Sequence, residues 1–355
     1  MRSFPILSLC FGIAIASSQV RKHEICTVES LNDPLADDVP AITAALKKCG
    51  QTGRILFPAN QTFSIRSPFD LSPCQACDFQ INGVLSISRD WDYWEKQAAV
   101  INIPRTTAAI IRTDGNTGVI DANRFGWAGD ESLLERIPKL FSISDESYNI
   151  YIRNLKIRNV PGIVFYVNSN SSSVHLDDID IADAATTGLL VEQAKHVYVW
   201  NNTIRATGSC VTILPNSTNV QFEESTCITT GTTTTTPSGI WLRFMAGSGL
   251  DWIHNVFVKN VKAIGGMKVI SLAADPGENT AHPIEIKNVT FTGITIEGPA
   301  EEAVYVEEGQ GPLYATEITF RDFEGDVQKE SDLRCGSSAS QCEFSREDWN
   351  ITVQG

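Results

Sequence analysis

The sequence predicts an all-β chain: a single-domain, right-handed parallel β-helix with a short N-terminal capping helix. Three observations carry the prediction. A short apolar pattern recurs about every 23 residues from residue 150 onward. An Asn or Asp stands at the same point of most copies. β-Branched residues dominate the copies, and helical periodicity is absent from them.

The pattern is apolar, x, apolar, x, x, apolar, x, apolar. It reads Ile150, Ile152, Leu155, Ile157 and then Val174, Leu176, Ile179, Ile181. Val197, Val199 and Ile204 follow with Asn202 in the third slot, then Val220, Phe222 and Cys227 with Ser225 there. Later copies are Val256, Val258, Val261, Ala263 and Ile284, Ile286, Val289, Phe291, and the C-terminal Ile318, Phe320 and Phe323 fit less fully. The first steps are 24, 23 and 23 residues. Period-two alternation marks strands, and the two-residue gap makes each copy two short strands with a bend between them. Asn154, Asp178, Asn201, Asn260, Asn288 and Asp322 occupy the bend. These residue types tolerate the left-handed backbone that a sharp bend needs. A strand pair with one apolar face cannot bury it alone, so copies must stack as a solenoid. Leucine-rich repeats share the period but need a Leu-rich consensus and a helix or tight turn per repeat. The β-branched copies favour the parallel β-helix.

A solenoid needs covered ends. Asp38 is placed to N-cap a helix over residues 39–48, with Pro40 in its first turn and apolar residues along one face. The acidic tail from about Asp326, closed by Cys335 and Cys342, is placed to cover the other end.

Residues 1–18 read as a secretory leader: Arg2, an apolar run from Phe4 to Ala16, and small residues at Ala14, Ala16 and Ser18. The run is too short for a membrane span. Residues 19–355 are then expected as one extracellular β-helix domain. Of nine cysteines, Cys10 leaves with the leader and eight remain. They fall as near neighbours: Cys26 and Cys49, Cys74 and Cys77, Cys210 and Cys227, Cys335 and Cys342. Zinc is the rival reading for the C-x-x-C at Cys74 and Cys77, and an oxidising compartment favours disulfides. Six sequons, at Asn60, Asn170, Asn201, Asn216, Asn288 and Asn350, suggest a glycoprotein. The net charge of −14 argues against nucleic acid and against an anionic membrane surface. It is also awkward for a polyanionic substrate, although acidity serves solubility in many secreted proteins.

Several stretches resemble glycoside hydrolase family 28, the polygalacturonases and rhamnogalacturonases, and within it the fungal exo-acting members. Residues 37–49 look like the family's capping helix. Asp90-Trp91-Asp92-Tyr93-Trp94 is similar to the exo-type D-x-D-Y-W, and Gly118-Val119-Ile120-Asp121-Ala122-Asn123 to G-x-I-D-G-N. Residues 210–219, CVTILPNSTN, are close to C-V-S-F-K-P-N-S-T-N. The resemblance covers nearly the whole mature chain. It implies a pectin-lyase-like solenoid, inverting hydrolysis of a pectic polysaccharide or oligosaccharide by paired carboxylates, no cofactor, no metal and a monomer.

The family's catalytic motifs are replaced in this sequence. N-T-D-G-x-D aligns with residues 185–190, where Thr187 and Leu190 stand for the acids. D-D before the Cys aligns with Gly208 and Ser209, and Ser238 stands for the His of G-H-G. R-I-K aligns with Lys268-Val269-Ile270, and Leu214 replaces the exo-type Lys. Thr, Gly and Ser cannot serve as a general acid near working pH. Asp183 and Glu192 border the aligned cleft as rescue carboxylates. Asp177, Asp180, Glu223, Glu307 and Glu308 read as solvated surface groups, and Asp178 and Glu224 as bend residues. Lys268 and Trp241 are the expected substrate-binding residues. Trp94 is either a sugar platform or core. His175 and His196 lie outward in successive coils, a weak metal signal beside the commoner surface role. The expected activity is that of a divergent or weakened pectin-directed hydrolase, with a silent glycan-binding protein as the alternative.

Overall fold

The computed structural model describes residues 24–354 apart from 116, 127–135, 231–236, 245–250, 275–282, 308–311 and 336–340. The expected leader lies outside the described residues. The strands stack in parallel as coils of a β-helix. Each coil gives one strand to a smaller, nine-stranded sheet, running from Phe69–Asp70 through Ala99–Pro104, Lys139–Ser144, Phe165–Val167, Thr187–Val191, Ser209–Ile213, Ser238–Phe244 and Lys268–Ala274 to Glu302–Val306. The rest of each coil forms a larger sheet that turns twice around the core.

The repeat pattern maps onto the larger sheet. Ile150, Val174, Val197, Val220, Val256, Val289 and Ile318 stack in register and are buried. Burying a side chain of this size is worth about 1.5–3 kcal/mol. The polar third-slot residues are paired within the wall. Asn202 accepts from the Ile179 amide at 2.7 Å and donates to the Leu176 carbonyl at 2.7 Å, while the Ser225 hydroxyl accepts from the Asn202 amide.

Bends fall at Asn154, Asp178, Asn201 and Glu224, each at φ between 50 and 56°. In later coils the same position, inside one continuous strand, is held by Asn260, Gly293 and Asp322. Side chains bond along this ladder: Asn201 donates to Asp178 at 2.6 Å and Asn260 to Glu224 at 2.6 Å. Asn288 is not on this ladder, which corrects the sequence reading. It belongs to a second left-handed ladder with Asn149, Ser173, His196, Asn219, Asn255 and Glu317. The cause is degeneracy. Ile284, Ile286, Val289, Phe291, Ile294 and Ile296 satisfy the pattern twice, five residues apart. The pairings of Val256 with Val289 and Val261 with Ile294 select the later frame.

The helix forms at Val39–Cys49 and buries Val39, Ile42, Ala45, Leu46 and Cys49. Asp38 stands at its N-cap but does not cap it. Its carboxylate accepts instead from the amides of Leu31 at 2.8 Å and Ser64 at 2.7 Å, tying the entry loop to the first coil. Asp37 accepts from the Val39 amide at 3.2 Å. The C-terminal tail packs Phe344, Trp349 and Ile351 against the end of the core. Its strand Gln341–Val353 pairs in parallel with Leu313–Val327 and extends the larger sheet. Four disulfides join the cysteines in the near pairs: Cys26 to Cys49, Cys74 to Cys77, Cys210 to Cys227 and Cys335 to Cys342. Among the described residues no helix is long and apolar enough to cross a membrane.

Candidate active site

The outer face of the smaller sheet gathers the aligned positions. Pairing sets Thr187 opposite Ser209, Ser238 opposite Lys268 and Lys268 opposite Glu302. Val211 opposite Ile240 carries the register across, so Ser209 lies level with Ser238. One row therefore reads Thr187, Ser209, Ser238, Lys268, Glu302, crossing strands about 4.8 Å apart. The hydroxyls satisfy one another. Thr187 and Ser209 are 3.1 Å apart, Ser209 and Thr212 2.6 Å, and Ser238 and Ser271 2.8 Å. Gly208 is off this row. A Cβ there would fall 2.3 Å from the Thr186 carbonyl oxygen, so the backbone itself excludes an acid at that position. Gly188 is similarly fixed, since a Cβ would meet Ile204 at 2.5 Å and the Cys210 carbonyl at 2.7 Å.

The next row outward holds Tyr166, Leu190, Thr212, Trp241, Ser271 and Tyr305. Trp241 is half-buried, its indole donating to the Ala273 carbonyl at 3.0 Å and its ring lying 5.2 Å from the Arg243 guanidinium. Lys268 Nζ sits 3.3 Å above the Tyr305 ring, and Lys139 Nζ is 5.7 Å from the Tyr166 ring. Such contacts orient cations while leaving them able to meet an anion. Burial, then the Glu192 carboxylate, push the Tyr166 hydroxyl up to about 12. Burial, then Glu307, do the same for Tyr305. Glu302 titrates above the usual carboxylate range because of burial, and Lys268 opposes the shift. Ile270, aligned with the second cation of R-I-K, points into the core.

A family model described as glycosyl hydrolases family 28 matches residues 49–355. This chain belongs to that family. Among curated relatives, a probable endo-xylogalacturonan hydrolase A of Neosartorya fischeri is 28% identical, covering 99% of this chain and 92% of its own length. The endo-xylogalacturonan hydrolase A of Aspergillus tubingensis is 27% identical over 91% of this chain and 84% of its own. The crystal structure of the Aspergillus tubingensis endo-xylogalacturonan hydrolase superposes with a TM-score of 0.81 at 25% identity, covering 93% of each chain. A Thermotoga maritima exopolygalacturonase, at 13% identity and a TM-score of 0.62 over 92% of each chain, shares the fold.

The family's inverting chemistry needs two carboxylates roughly 6.5–9.5 Å apart across the scissile bond. Asp183 and Glu192 each engage a different neighbour. Asp183 lies on the larger-sheet strand Asp180–Ala184, beside Arg124 at 3.9 Å, and Glu192 directly follows the smaller-sheet strand Thr187–Val191 and accepts from the Tyr166 hydroxyl. Trp94 of the D-x-D-Y-W motif and Asp121 of the G-x-I-D motif are held within the fold. Trp94 is fully buried and donates to the Ser88 carbonyl at 3.0 Å. Burial would raise Asp121, but bonds from Asn159, the Asn123 amide and Arg158 hold it below the usual range. His175 and His196 both engage Tyr198, by ring stacking at 4.7 Å and by a 3.4 Å contact to Nδ1 respectively. All six sequon asparagines are at exposed or half-exposed positions.

Sequence reasoning missed Glu302, Tyr305, Tyr166 and Arg243. The eight-residue pattern indexes the larger sheet only. The smaller sheet has its own signal, an outward pair three residues apart: Ser238 and Trp241, Lys268 and Ser271, Glu302 and Tyr305.

Proposed function

We propose that this family 28 member is a secreted, pectin-directed glycoside hydrolase that engages a galacturonan backbone along the outer face of the smaller sheet and hydrolyses it weakly. The observation that carries the reading is the row Thr187, Ser209, Ser238, Lys268, Glu302, in which hydroxyls replace proton-transfer groups beside a retained cation. Lys139, Lys268 and Arg243 supply positive charge for uronate carboxylates. Losing a positioned acid or base costs about 10²–10⁴-fold in rate, so slow turnover follows. The names of the relatives make xylogalacturonan the first substrate to try, and support attack within the chain in place of the exo mode suggested by the D-x-D-Y-W motif. The mature chain begins near residue 19 and acts as one β-helix unit, monomeric and glycosylated.

The hydrogen-bonded hydroxyls favour one second reading, a glycan-binding protein without hydrolysis. The test uses protein from a pectinase-free host. Reducing-sugar release is measured on xylogalacturonan, polygalacturonan and rhamnogalacturonan, beside calorimetry with oligogalacturonides. Slow release with binding is expected. Binding without release above a heat-killed control leaves only the second reading, and absence of both ends the two together.

A further inference from the structure

The larger sheet carries a second cluster on a different side of the coils. In register, Tyr151, His175, Tyr198 and Gln221 make one outward row. Arg153, Asp177, Trp200 and Glu223 make the next. The His175 ring is sandwiched, 4.3 Å from Tyr151 at 13° and 4.7 Å from Tyr198 at 28°. Beside this stack lies an open concavity of about 320 Å³ lined by His175, Asp177, Tyr198, Trp200, Gln221 and Glu223.

Its composition is specific. Trp200 is 48% exposed, a large apolar surface that the core does not use. Asp177 and Glu223 lie opposite it on the two flanking strands, each about 4.8 Å away along the sheet. An exposed indole between hydrogen-bond acceptors matches a pyranose, which has an apolar C–H face and a rim of hydroxyls. The lining residues include two carboxylates and no Lys or Arg, with Arg153 and Lys259 beyond them at the two ends of the row; the carboxylates on either side of the indole disfavour a uronate stacked there. Burial first, then Asp178, push Asp177 up to about 6, with Arg153 opposing, so near that pH it is both donor and acceptor.

We propose that this concavity is a second glycan-binding site, selective for neutral pyranose oligosaccharides, with Trp200 as the stacking platform and Asp177, Glu223 and Gln221 as hydroxyl partners. It is independent of the groove and of the hydrolytic reading. The neutral sugar has three available sources: branches of the groove's own polymer, a separate neutral polymer, or an N-glycan on the adjacent Asn201. Removing N-glycans enzymatically before the measurement eliminates the third.

The test is calorimetry of the deglycosylated protein with xylotetraose, β-1,4-galactotetraose and trigalacturonate, on the parent and on Trp200→Ala, Glu223→Gln and Trp241→Ala. At least one neutral probe should bind the parent with a Kd below about 1 mM. Trp200→Ala should weaken that binding about tenfold or more, and Glu223→Gln a few-fold, since a bond to a charged acceptor is lost. Trp241→Ala should leave it unchanged while weakening trigalacturonate. Binding of xylotetraose alone makes the site xylose-selective, binding of galactotetraose alone makes it galactose-selective, and binding of both makes it a general neutral-pyranose site. No neutral binding to the parent overturns the proposal. So does parental affinity in both Trp200→Ala and Glu223→Gln, or loss of neutral binding in Trp241→Ala, which would move that site to the groove. Circular dichroism of each variant confirms the fold, and the exposure of Trp200 makes its loss tolerable.

Discussion

Two outward faces of the same coils set different charges against their aromatic rings. On the smaller sheet, Lys139, Arg243 and Lys268 lie against Tyr166, Trp241 and Tyr305. On the larger sheet, Asp177 and Glu223 flank exposed Trp200. The inner sides of both are uniform: Ile240, Leu242 and Phe244 under one, Val174, Val197 and Val220 under the other, all buried. Strand alternation separates the two tasks. Interior positions hold the coil together, and exterior positions change chemistry at little cost to the fold. A change of residue type on the outer row therefore leaves the scaffold in place. The hydroxyls of Thr187 and Ser209 partner each other within the row, and those of Ser209 and Ser238 also reach Thr212 and Ser271 in the next row.

The largest effect expected is a gain on the groove face. Thr187→Asp combined with Ser209→Asp, leaving Gly208 untouched, should raise reducing-sugar release by about 10²-fold or more. Ser209 is buried, so the double variant should also lose about 1–3 kcal/mol of stability in urea unfolding. A folded variant no faster than its parent would break the view that only the outward row separates this chain from an ordinary hydrolase.

Next in size is the loss of charge that defines the groove face. Lys268→Gln with Arg243→Gln should weaken trigalacturonate about 10–100-fold by calorimetry and flatten the salt dependence of binding. Neutral probes should bind as before. Equal weakening of both classes would erase the distinction between the faces.

Smaller, and on the other face, is a pH effect at Asp177. Its folded-state pKa is raised from 3.8 to about 6 by burial and by Asp178, with Arg153 opposing. A raised carboxyl contributes stability that is full below its unfolded pKa and is lost as pH rises through about 6. Asp177→Asn lacks that loss. Its Tm should therefore gain on the parent between pH 4 and pH 7, by an amount worth about 1 kcal/mol after allowing for solvent screening of a half-exposed group. A difference that is flat with pH would show that Asp177 is solvated like any surface acid. The smallest effect concerns the bend beside Trp200. Asn201→Ala should cost about 1 kcal/mol in urea unfolding, through its left-handed backbone and the lost bond to Asp178, while Asn201→Gly should cost less.

The wall of the larger sheet was legible because its pattern is short, apolar and tied to strand alternation. It failed where the pattern repeats within itself, at residues 284–296, since either frame buries the same kinds of side chain. Only pairing with the previous coil chose Gly293 as the bend and moved Asn288 off it. Asp38 shows the same limit. A residue type suited to a helix cap was drawn instead to the Leu31 and Ser64 amides, which sequence distance conceals. The tail was expected to cover the C-terminal end of the core, and the edge of Leu313–Val327 gives it the backbone partners to do so as a strand.

By itself the sequence determined the parallel β-helix, the placing of the cysteines as near neighbours, and the hydroxyl residues at positions 187, 209 and 238. All three are properties of residue type and short spacing. The tertiary structure alone decided which outward residues share a face. It set Thr187, Ser209, Ser238, Lys268 and Glu302 in one row, and it set Trp200 between Asp177 and Glu223. Neighbours on a solenoid face lie one coil apart in sequence, and the lengths of the intervening turns vary. Register between coils, fixed by hydrogen bonds and core packing, is therefore what turns separate side chains into a site.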